Sequence, residues 1–208
     1  MPSRVRAPRA LESKAFRAMF AARKEVFVDL LKWDLPVLAE QYEMDRFDGV
    51  DAEYMIMLDG EGRHRSSARL LKTDRPHLLD ELYPFLCDGP LPSGPTVREI
   101  TRFCLDRHQN ATERRLARDQ LVTALAEHAL ETGITDYTGV ADLAWFQQVM
   151  RFGWHCSPLG RIALLEGRKL IALHIRIDDR TLDGLRTAGI YQPRTLKLVA
   201  GEEAANER

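Results

Sequence analysis

The sequence predicts a single α/β domain, a three-layer sandwich with a mixed central sheet, and three observations lead to this prediction. Segments with strand composition are interleaved with segments of helical periodicity, as in proteins whose helices pack on a sheet. Two pairs of strand-like segments are joined by short turns, whereas other strands are separated by helices. With 208 residues, 45% of them hydrophobic, the chain can bury one sizeable core rather than two.

The first predicted element is an amphipathic helix. Apolar residues recur at steps of three and four between Phe16 and Leu31, which is typical of a helix with one apolar face. Ser13 belongs to the residue types that cap helix N-termini, so we expect the helix to begin there. Arg23 lies on or beside the apolar face.

An acidic, loop-like segment follows the helix and leads to a β-hairpin. The helical pattern stops near Trp33, and Asp45 and Asp48 then present two carboxylates that need partners. EYMIMLD and RHRSSARLLKT have strand composition and are separated by turn residues, which predicts the hairpin. Arg69, near the end of its second strand, can fork across these carboxylates. Alternatively, Arg69 forms a surface salt bridge that contributes little stability.

A short helix is predicted from Leu78 to Leu86, and the Pro- and Gly-rich loop CDGPLPSGPT then leads to the strand VREITRFCLD. Strict alternation would put Glu99 and Phe103 on one face of this strand and Arg102 on the other. Glu99 and Arg102 would therefore diverge. We predict a bulge or a splayed strand at this point, because both residues are candidates for one site.

The second half of the chain alternates between helices and strands. The strongest helix is predicted from Glu113 to Glu131, with Gly133 as its stop. ITDYTGV is predicted to be the next strand, and Asp142 fits the N-cap of the helix LAWFQQVMRF, which ends at Gly153. RIALLEG and KLIALHIRI form the final strand pair with Gly167 in their turn, and DDRTLDGLRTAG closes as a helix.

Composition excludes several classes of function. A formal net charge of -1 argues against nucleic acid as a partner, because tight phosphate binding needs a basic excess. The three cysteines form no CxxC pair, which argues against a disulfide framework or a zinc site and fits a cytoplasmic protein. Neither a signal peptide nor a membrane-spanning run is predicted, so we expect no membrane partner. Residues 1–50 are expected to be partly mobile and residues 190–208 to be peripheral.

Eight residues stand in a characteristic order along the chain: Arg23, Phe27, Trp33, Asp45, Asp48, Arg69, Glu99 and Arg102. Their order and spacing resemble the signature of the acyl-homoserine-lactone synthases, which make quorum-sensing signals. The resemblance continues through YTGVADLAWFQQVMRFGWHCSPLG and KLIALHIRI, and so covers most of the chain. It implies a fold similar to that of the GCN5-related N-acyltransferases.

The resemblance also implies a two-substrate reaction. The amine of S-adenosylmethionine attacks an acyl thioester, and the resulting amide lactonises with release of methylthioadenosine. The ammonium must first lose a proton, so a carboxylate is required, and Glu99 is the candidate base. The resemblance also assigns Arg102 to the catalytic residues. The alternative for Glu99 is a salt bridge with Arg98 or Arg102 on an exposed strand.

The resemblance assigns the remaining signature residues to S-adenosylmethionine and to a charge network. Aromatic faces suit its cationic sulfonium and ammonium, and an arginine suits its carboxylate. The residues concerned are Arg23, Phe27, Trp33, Asp45, Asp48 and Arg69. Phe27 and Trp33 are alternatively part of the core, and the charge network is partly structural. S-adenosylmethionine is a substrate here, and no metal or other cofactor is expected.

The acyl chain and its carrier need two further surfaces. The candidate lining of an apolar acyl pocket is Phe103, Tyr137, Trp145, Phe146 and Met150, although such residues are alternatively ordinary core. In the family, a hydroxyl residue in the strand after the long helix is associated with 3-oxo acyl chains. Here Thr138 is the nearest hydroxyl and Ala141 follows it, which does not favour a 3-oxo chain.

A basic cluster lies at the start of the long helix, and it consists of Arg107, Arg114, Arg115 and Arg118. Such a cluster suits an acidic acyl carrier protein or the phosphates of coenzyme A, and alternatively it is a solvated helix face. Two other functions stay open. The first alternative to a synthase is an N-acyltransferase of the same fold with another amine substrate. The second is a non-catalytic ligand-binding relative.

Overall fold

The computed structural model describes residues 9–49, 51–193 and 197–201. The first eight residues and the end of the polar tail, residues 202–208, lie outside this described part. The expected mobility of residues 1–50 and the peripheral position of residues 190–208 stay predictions.

The first half of the chain contains a long helix, a small hairpin and three strands of the main sheet. These elements are α1 (Arg9–Arg23) with its π-helical continuation (Lys24–Leu30), β1 (Val37–Leu38), β2 (Tyr42–Glu43), β3 (Glu53–Leu58), β4 (His64–Lys72), α2 (Leu78–Leu82), a 3₁₀ turn (Pro84–Leu86) and β5 (Val97–Leu105).

The second half adds three helices and five strands in the described residues. They are α3 (Ala111–Thr132), β6 (Asp136–Asp142), α4 (Leu143–Val149), β7 (His155–Pro158), β8 (Ala163–Leu165), β9 (Arg168–Arg176), α5 (Thr181–Thr187) and β10 (Lys197–Gly201). No helix in the part of the chain that the structure describes is both long enough and apolar enough to cross a lipid bilayer.

Eight strands form one sheet in the order β10–β3–β4–β5–β6–β9–β7, with β8 also paired to β9. The β5–β6 pair is parallel and the other pairs are antiparallel, which confirms the predicted mixed sheet. One face of the sheet packs against α3, α4 and α5, through residues such as Leu121 and Phe146. The other face packs against Met19 of α1 and Leu79 of α2. The predicted three-layer α/β sandwich is therefore confirmed.

Strand β5 contains the predicted bulge. Ser67 of β4 pairs with Cys104, and Arg69 pairs with Thr101, so two steps along β4 match three steps along β5. The additional residue is accommodated at Arg102, whose φ of 50° is in the left-handed region. The bulge lets Thr101 and Arg102 point to the same face, the face that also carries Glu99.

The bulge also overturns the predicted orientation of Phe103. Alternation predicts Phe103 on the face of Glu99, but its ring lies 5.0 Å from that of Trp145, among the side chains that pack with α3 and α4. One inserted residue reverses the alternation for everything that follows it. Phe103 therefore lies on the opposite face of the sheet from Glu99.

Strands β5 and β6 also separate, as the alternative of a splayed strand predicts. Their parallel pairing covers only three residue pairs and ends where Glu99 meets Thr138, although both strands continue. Gly139 comes next in β6, and a Cβ atom there would lie 3.0 Å from the carbonyl oxygen of Ile100. The two strands are thus still close at Ile100 and Gly139, and a gap between them opens only beyond these residues.

Several boundaries differ from those predicted. Helix α1 begins at Arg9, so the prediction that Ser13 is its N-cap is wrong; the preceding Arg, Ala, Leu and Glu are good helix formers and extend the helix. Helix α4 ends at Val149 rather than near Gly153. Residues 197–201, which belong to the predicted peripheral tail, form an edge strand beside β3.

Candidate active site

A buried network of three arginines and three carboxylates joins α1, the β1–β2 hairpin, β4 and β5. Its members are Arg23, Arg69, Arg102, Glu43, Asp45 and Asp48. Five of these are predicted site residues, and Glu43 is an addition. Buried charges are costly unless they are paired, and here the formal charges balance.

Arg23 is the most buried cation of the network, with none of its surface exposed. Its Nε donates to Glu43 over 2.6 Å, and its two terminal nitrogens donate to Asp48 over 2.8 Å each. Burial alone lowers the pKa of Arg23, but the bonds and charges of Asp48 and Glu43 raise it above its ordinary value. In return Arg23 holds the pKa of Asp48 below its usual range, against the effect of burial. Both groups are therefore charged at neutral pH.

Arg69 and Arg102 meet at the carboxylate of Asp45. Arg69 Nη1 donates to one oxygen of Asp45 over 2.6 Å, and Arg102 Nη2 donates to the other over 2.7 Å. Arg69 Nε also donates to Thr101 over 2.9 Å, and Arg102 reaches Glu43 over 3.0 Å. The predicted fork of Arg69 across Asp45 and Asp48 is confirmed, since Asp48 lies 2.9 Å from Arg69. The surface salt bridge that was its alternative is excluded.

The sequence analysis did not identify Glu43 as a site residue, although its spacing from Asp45 indicates such a role. It stands two residues before Asp45, so in an extended segment the two carboxylates share a side. The carboxylates of Glu43, Asp45 and Asp48 approach one another closely enough to hold a cation. In this structure, however, they accept hydrogen bonds from three guanidinium groups, and such a donor set fits arginine rather than a metal.

Two aromatic rings stack beside the network. The rings of Phe27 and Trp33 lie 4.9 Å apart and nearly parallel. The guanidinium of Arg102 lies 5.7 Å from the centre of the Phe27 ring, and that of Arg168 lies 4.4 Å from the Trp33 ring. The pair is therefore held between β5 and β9, at the open end of the gap beside β6. Arg168 was not predicted, and no sequence signal identified it.

Glu99 is fully buried, and no cation among the described residues forms a salt bridge with it. Its carboxylate accepts hydrogen bonds from the backbone N–H groups of Leu78 and Leu79, over 2.9 and 3.0 Å, at the start of α2. Burial raises the pKa of Glu99 to about 7, and these two bonds and the charges of Arg69 and Arg102 reduce that rise only in part. The predicted alternative, an exposed ion pair with Arg98 or Arg102, is excluded. A carboxyl group with a pKa near neutrality can exchange protons at physiological pH.

The predicted acyl-pocket residues divide into two groups. Phe103, Tyr137, Trp145 and Phe146 belong to the apolar cluster between the sheet and α3 and α4. Tyr137 is fully buried, and its hydroxyl donates to the carbonyl oxygen of Leu125, as an ordinary core tyrosine does. Met150 is 48% exposed at the end of α4 and does not join this cluster. The cluster lies on the face of the sheet opposite Glu99, so the sheet itself separates the two, except where β5 and β6 diverge.

The predicted basic cluster lies at the N-terminal end of α3. Arg107, Arg114 and Arg115 are exposed there. Arg118 is half-buried, donates to Asp119 over 2.7 Å and lies over the ring of Phe152. Three of the four arginines are therefore available to a partner, and Arg118 is engaged within the fold.

An open groove of about 560 Å³ lies between α1 and the β1–β2 hairpin. Side chains of both charges line it, including Lys14, Arg17, Glu25 and Asp29. It contains none of the predicted site residues. We place the candidate site along the strand gap instead, because the perturbed carboxyl group of Glu99 lies at its closed end and the aromatic pair lies at its open end.

Comparison with known proteins identifies relatives over most of the chain. Residues 9–185 match the Autoinducer synthase family. An acyl-homoserine-lactone synthase from Rhizobium etli is 35% identical over 189 residues, which cover 89% of this chain and 87% of the relative.

Solved structures agree with this match. TofI, in a ternary complex with an inhibitor and MTA, has a TM-score of 0.73 and 30% identity, covering 87% of this chain and 92% of TofI. BjaI, a CoA-dependent acyl-homoserine lactone synthase with SAM and isopentyl-CoA, has a TM-score of 0.76 and 28% identity, covering 89% and 90%. A putative N-acetyltransferase from Lactobacillus plantarum, 18% identical with a TM-score of 0.54 and covering 80% and 92%, shares the fold.

The buried network predicts the effect of removing its most buried cation. Replacing Arg23 with Met should lower the free energy of unfolding by about 3–5 kcal/mol, because Glu43 and Asp48 then stay buried with too few partners. Since the pKa of Asp48 is depressed, this stabilisation is present at neutral pH and is lost as the pH falls below the value of about 4 for an unfolded aspartate. Urea denaturation at pH 7 and at lower pH measures both effects.

The matched control is Arg63→Met. Arg63 pairs with Asp59, but its side chain is 67% exposed, so its removal should change stability little. Equal urea midpoints for Arg23→Met and the wild type at pH 7 would contradict a stabilising role of the network.

Proposed function

The chain belongs to the autoinducer synthase family, and on this premise we propose that it is an acyl-homoserine-lactone synthase. It transfers an acyl group from an acyl thioester to the amine of S-adenosylmethionine, and lactonisation then releases methylthioadenosine. The product is a quorum-sensing signal. The observation that carries the proposal in this structure is Glu99, a buried carboxyl group with a raised pKa at the end of a gap between two strands.

Glu99 acts as the general base. The amine of S-adenosylmethionine arrives as an ammonium and must lose a proton before it can attack the thioester carbon. A carboxyl group whose pKa is about 7 is partly ionised at neutral pH and accepts that proton, directly or through one water molecule. An ordinary glutamate would be ionised but would be a weaker base. The raised pKa thus makes Glu99 better suited to accept the proton of the ammonium.

The two substrates approach from opposite faces of the sheet. Glu99 and the aromatic pair Phe27 and Trp33 lie on the side of α1 and α2, and this side receives S-adenosylmethionine. Phe103 and Trp145 lie on the side of α3 and α4, where an apolar surface suits the acyl chain. The gap between β5 and β6 connects the two sides, so the thioester carbon reaches the amine through it.

The charge network supports the site more than it binds substrate. Arg23 and Arg69 are buried and engaged by carboxylates, so they have little capacity left for the carboxylate of S-adenosylmethionine. Arg102 is the member that also lies over Phe27, and it links the network to the aromatic pair. We therefore assign a structural role to four residues of the network. They fix the position of the segment that carries Phe27 and Trp33, and they are Arg23, Arg69, Asp45 and Asp48. The sulfonium of S-adenosylmethionine then meets aromatic faces.

The acyl carrier is either an acyl carrier protein or coenzyme A. BjaI, one of the relatives, is CoA-dependent. The exposed Arg107, Arg114 and Arg115 suit the acidic surface of a carrier protein as well as the phosphates of coenzyme A. The reaction needs no cofactor beyond its two substrates, and both are cytoplasmic metabolites, so we place the enzyme in the cytoplasm.

Replacement of Glu99 with Gln tests the proposed function. Wild-type protein supplied with S-adenosylmethionine and acyl thioesters should yield acyl-homoserine lactone and methylthioadenosine, detected by mass spectrometry. Glu99→Gln should reduce the rate by about 10²- to 10⁴-fold, because the amide cannot take up the proton. Glu131→Gln, on the exposed end of α3, is the matched control and should keep the wild-type rate.

The outcomes separate the alternatives. Wild-type activity that Glu99→Gln retains would contradict the role of Glu99 but not the reaction. An amide product without methylthioadenosine would instead indicate an N-acyltransferase with another amine substrate. Binding of S-adenosylmethionine without any product would indicate a non-catalytic relative.

Charge reversal in the basic cluster tests the carrier. If a carrier protein docks there, Arg115→Glu should raise the KM for acyl carrier protein several-fold and make it less sensitive to salt, because an attractive charge becomes repulsive. The KM for the same acyl group on coenzyme A should change less. Arg180→Glu, an exposed arginine outside the cluster, is the control. An unchanged KM for both carriers would contradict docking at the start of α3.

A further inference from the structure

The hydroxyl group of Thr138 is buried without a hydrogen-bond partner. Thr138 has no exposed surface, and within the described residues its Oγ1 neither donates nor accepts a hydrogen bond. Other buried threonines, such as Thr101 and Thr123, are bonded. An unpaired buried hydroxyl costs free energy, so its presence calls for an explanation.

Thr138 stands directly beside the proposed base. It is the partner of Glu99 in the last residue pair of β5 and β6, before the strands separate. The neighbouring Tyr137 points to the opposite side, because its hydroxyl reaches Leu125 of α3. Alternation along β6 therefore turns Thr138 to the same face of the sheet as Glu99.

This position separates Thr138 from the acyl chain. Ala141, three residues further along β6, belongs to the apolar cluster with α3 and α4, and thus lies on the face that we assign to the acyl group. Thr138 faces the side assigned to S-adenosylmethionine. Its hydroxyl is therefore placed to meet the amine rather than the third carbon of the acyl chain.

The amine needs acceptors in addition to its base. A primary ammonium carries three N–H bonds, and only one proton passes to Glu99. Glu43, Asp45 and Asp48 already accept bonds from arginines. The Thr138 hydroxyl is an unengaged acceptor next to Glu99. His77 Nε2 is also buried and unpartnered, but no observation directs it toward the strand gap.

We propose that Thr138 Oγ1 accepts a hydrogen bond from the amino group of S-adenosylmethionine and so orients the nitrogen lone pair toward the thioester carbon. This inference rests on the proposed function. With one N–H bond directed to Thr138 and one proton directed to Glu99, the amine has a defined orientation at the mouth of the gap. Thr138 is then a residue that positions the substrate, and the bound amine supplies the hydrogen-bond partner that the hydroxyl lacks.

Two substitutions at Thr138 and two ligands test the proposal. Thr138→Val keeps the shape and removes the hydroxyl, whereas Thr138→Ser keeps the hydroxyl. In calorimetric titrations, Thr138→Val should bind S-adenosylmethionine about tenfold more weakly, the effect of one lost hydrogen bond to a charged group. Methylthioadenosine lacks the amino-acid part, so its affinity should not change. Thr138→Ser should bind both ligands as the wild type does.

Thermal stability without ligand provides a second readout. Removing an unpaired buried hydroxyl should leave the melting temperature of Thr138→Val unchanged or higher. The matched control is Thr123→Val, because Thr123 Oγ1 donates to Asp119 and accepts from Gln192. That variant should melt at a lower temperature and keep the affinity for S-adenosylmethionine.

Three results would overturn the inference and leave the proposed function intact. Equal affinity of Thr138→Val and wild type for S-adenosylmethionine would show that the hydroxyl does not contact the amine. Equal weakening for methylthioadenosine would show a general distortion of the site. A lower melting temperature for Thr138→Val would show that the hydroxyl has a structural partner. Failure of the wild type to bind S-adenosylmethionine would instead overturn the proposed function together with this inference.

Discussion

The buried ion network between α1, the acidic segment and the sheet is the interaction on which the rest of the site depends. Arg23 can be buried only because Glu43 and Asp48 engage it, and those carboxylates can be buried only because Arg23, Arg69 and Arg102 surround them. Helix, hairpin and strands are therefore held in one arrangement. The aromatic pair, Phe27 and Trp33, follows from it, because the chain between Arg23 and Glu43 must pass over the open end of the strand gap.

Burial raises the pKa of Glu99, and the balance of charge within the network keeps the nearby arginines from reversing that rise. Arg69 and Arg102 lie near enough to lower the pKa of Glu99, yet burial prevails and the pKa rises to about 7. Three carboxylates neutralise the three arginines, so little positive field is left to stabilise an ionised Glu99. Without those carboxylates, the charges of Arg69 and Arg102 would lower the pKa of Glu99 further. The acidic segment thus has a chemical role as well as a structural one.

Most of the architecture could be predicted from the sequence, because hydrophobic periodicity and turn residues act locally. The hairpin around Arg69, the helix ended by Gly133 and the N-cap at Asp142 all follow such local rules. Long-range contacts could not be predicted. The bulge reverses the face of Phe103, and burial of Glu43 or exposure of Met150 depends on neighbours distant in sequence. The unpaired hydroxyl of Thr138 is visible only once every possible partner has been placed.

The protonation of Glu99 in the intact protein is the most direct test of the central claim, that the neutralised network leaves this carboxyl group available as a base. Carbon-detected NMR of protein labelled at the glutamate side-chain carboxyl carbons measures its titration, and the signal that disappears in Glu99→Gln identifies it. A midpoint near pH 7 is the predicted result. A midpoint near the ordinary glutamate value of about 4.3 would show that the arginines hold Glu99 ionised, and would contradict the claim.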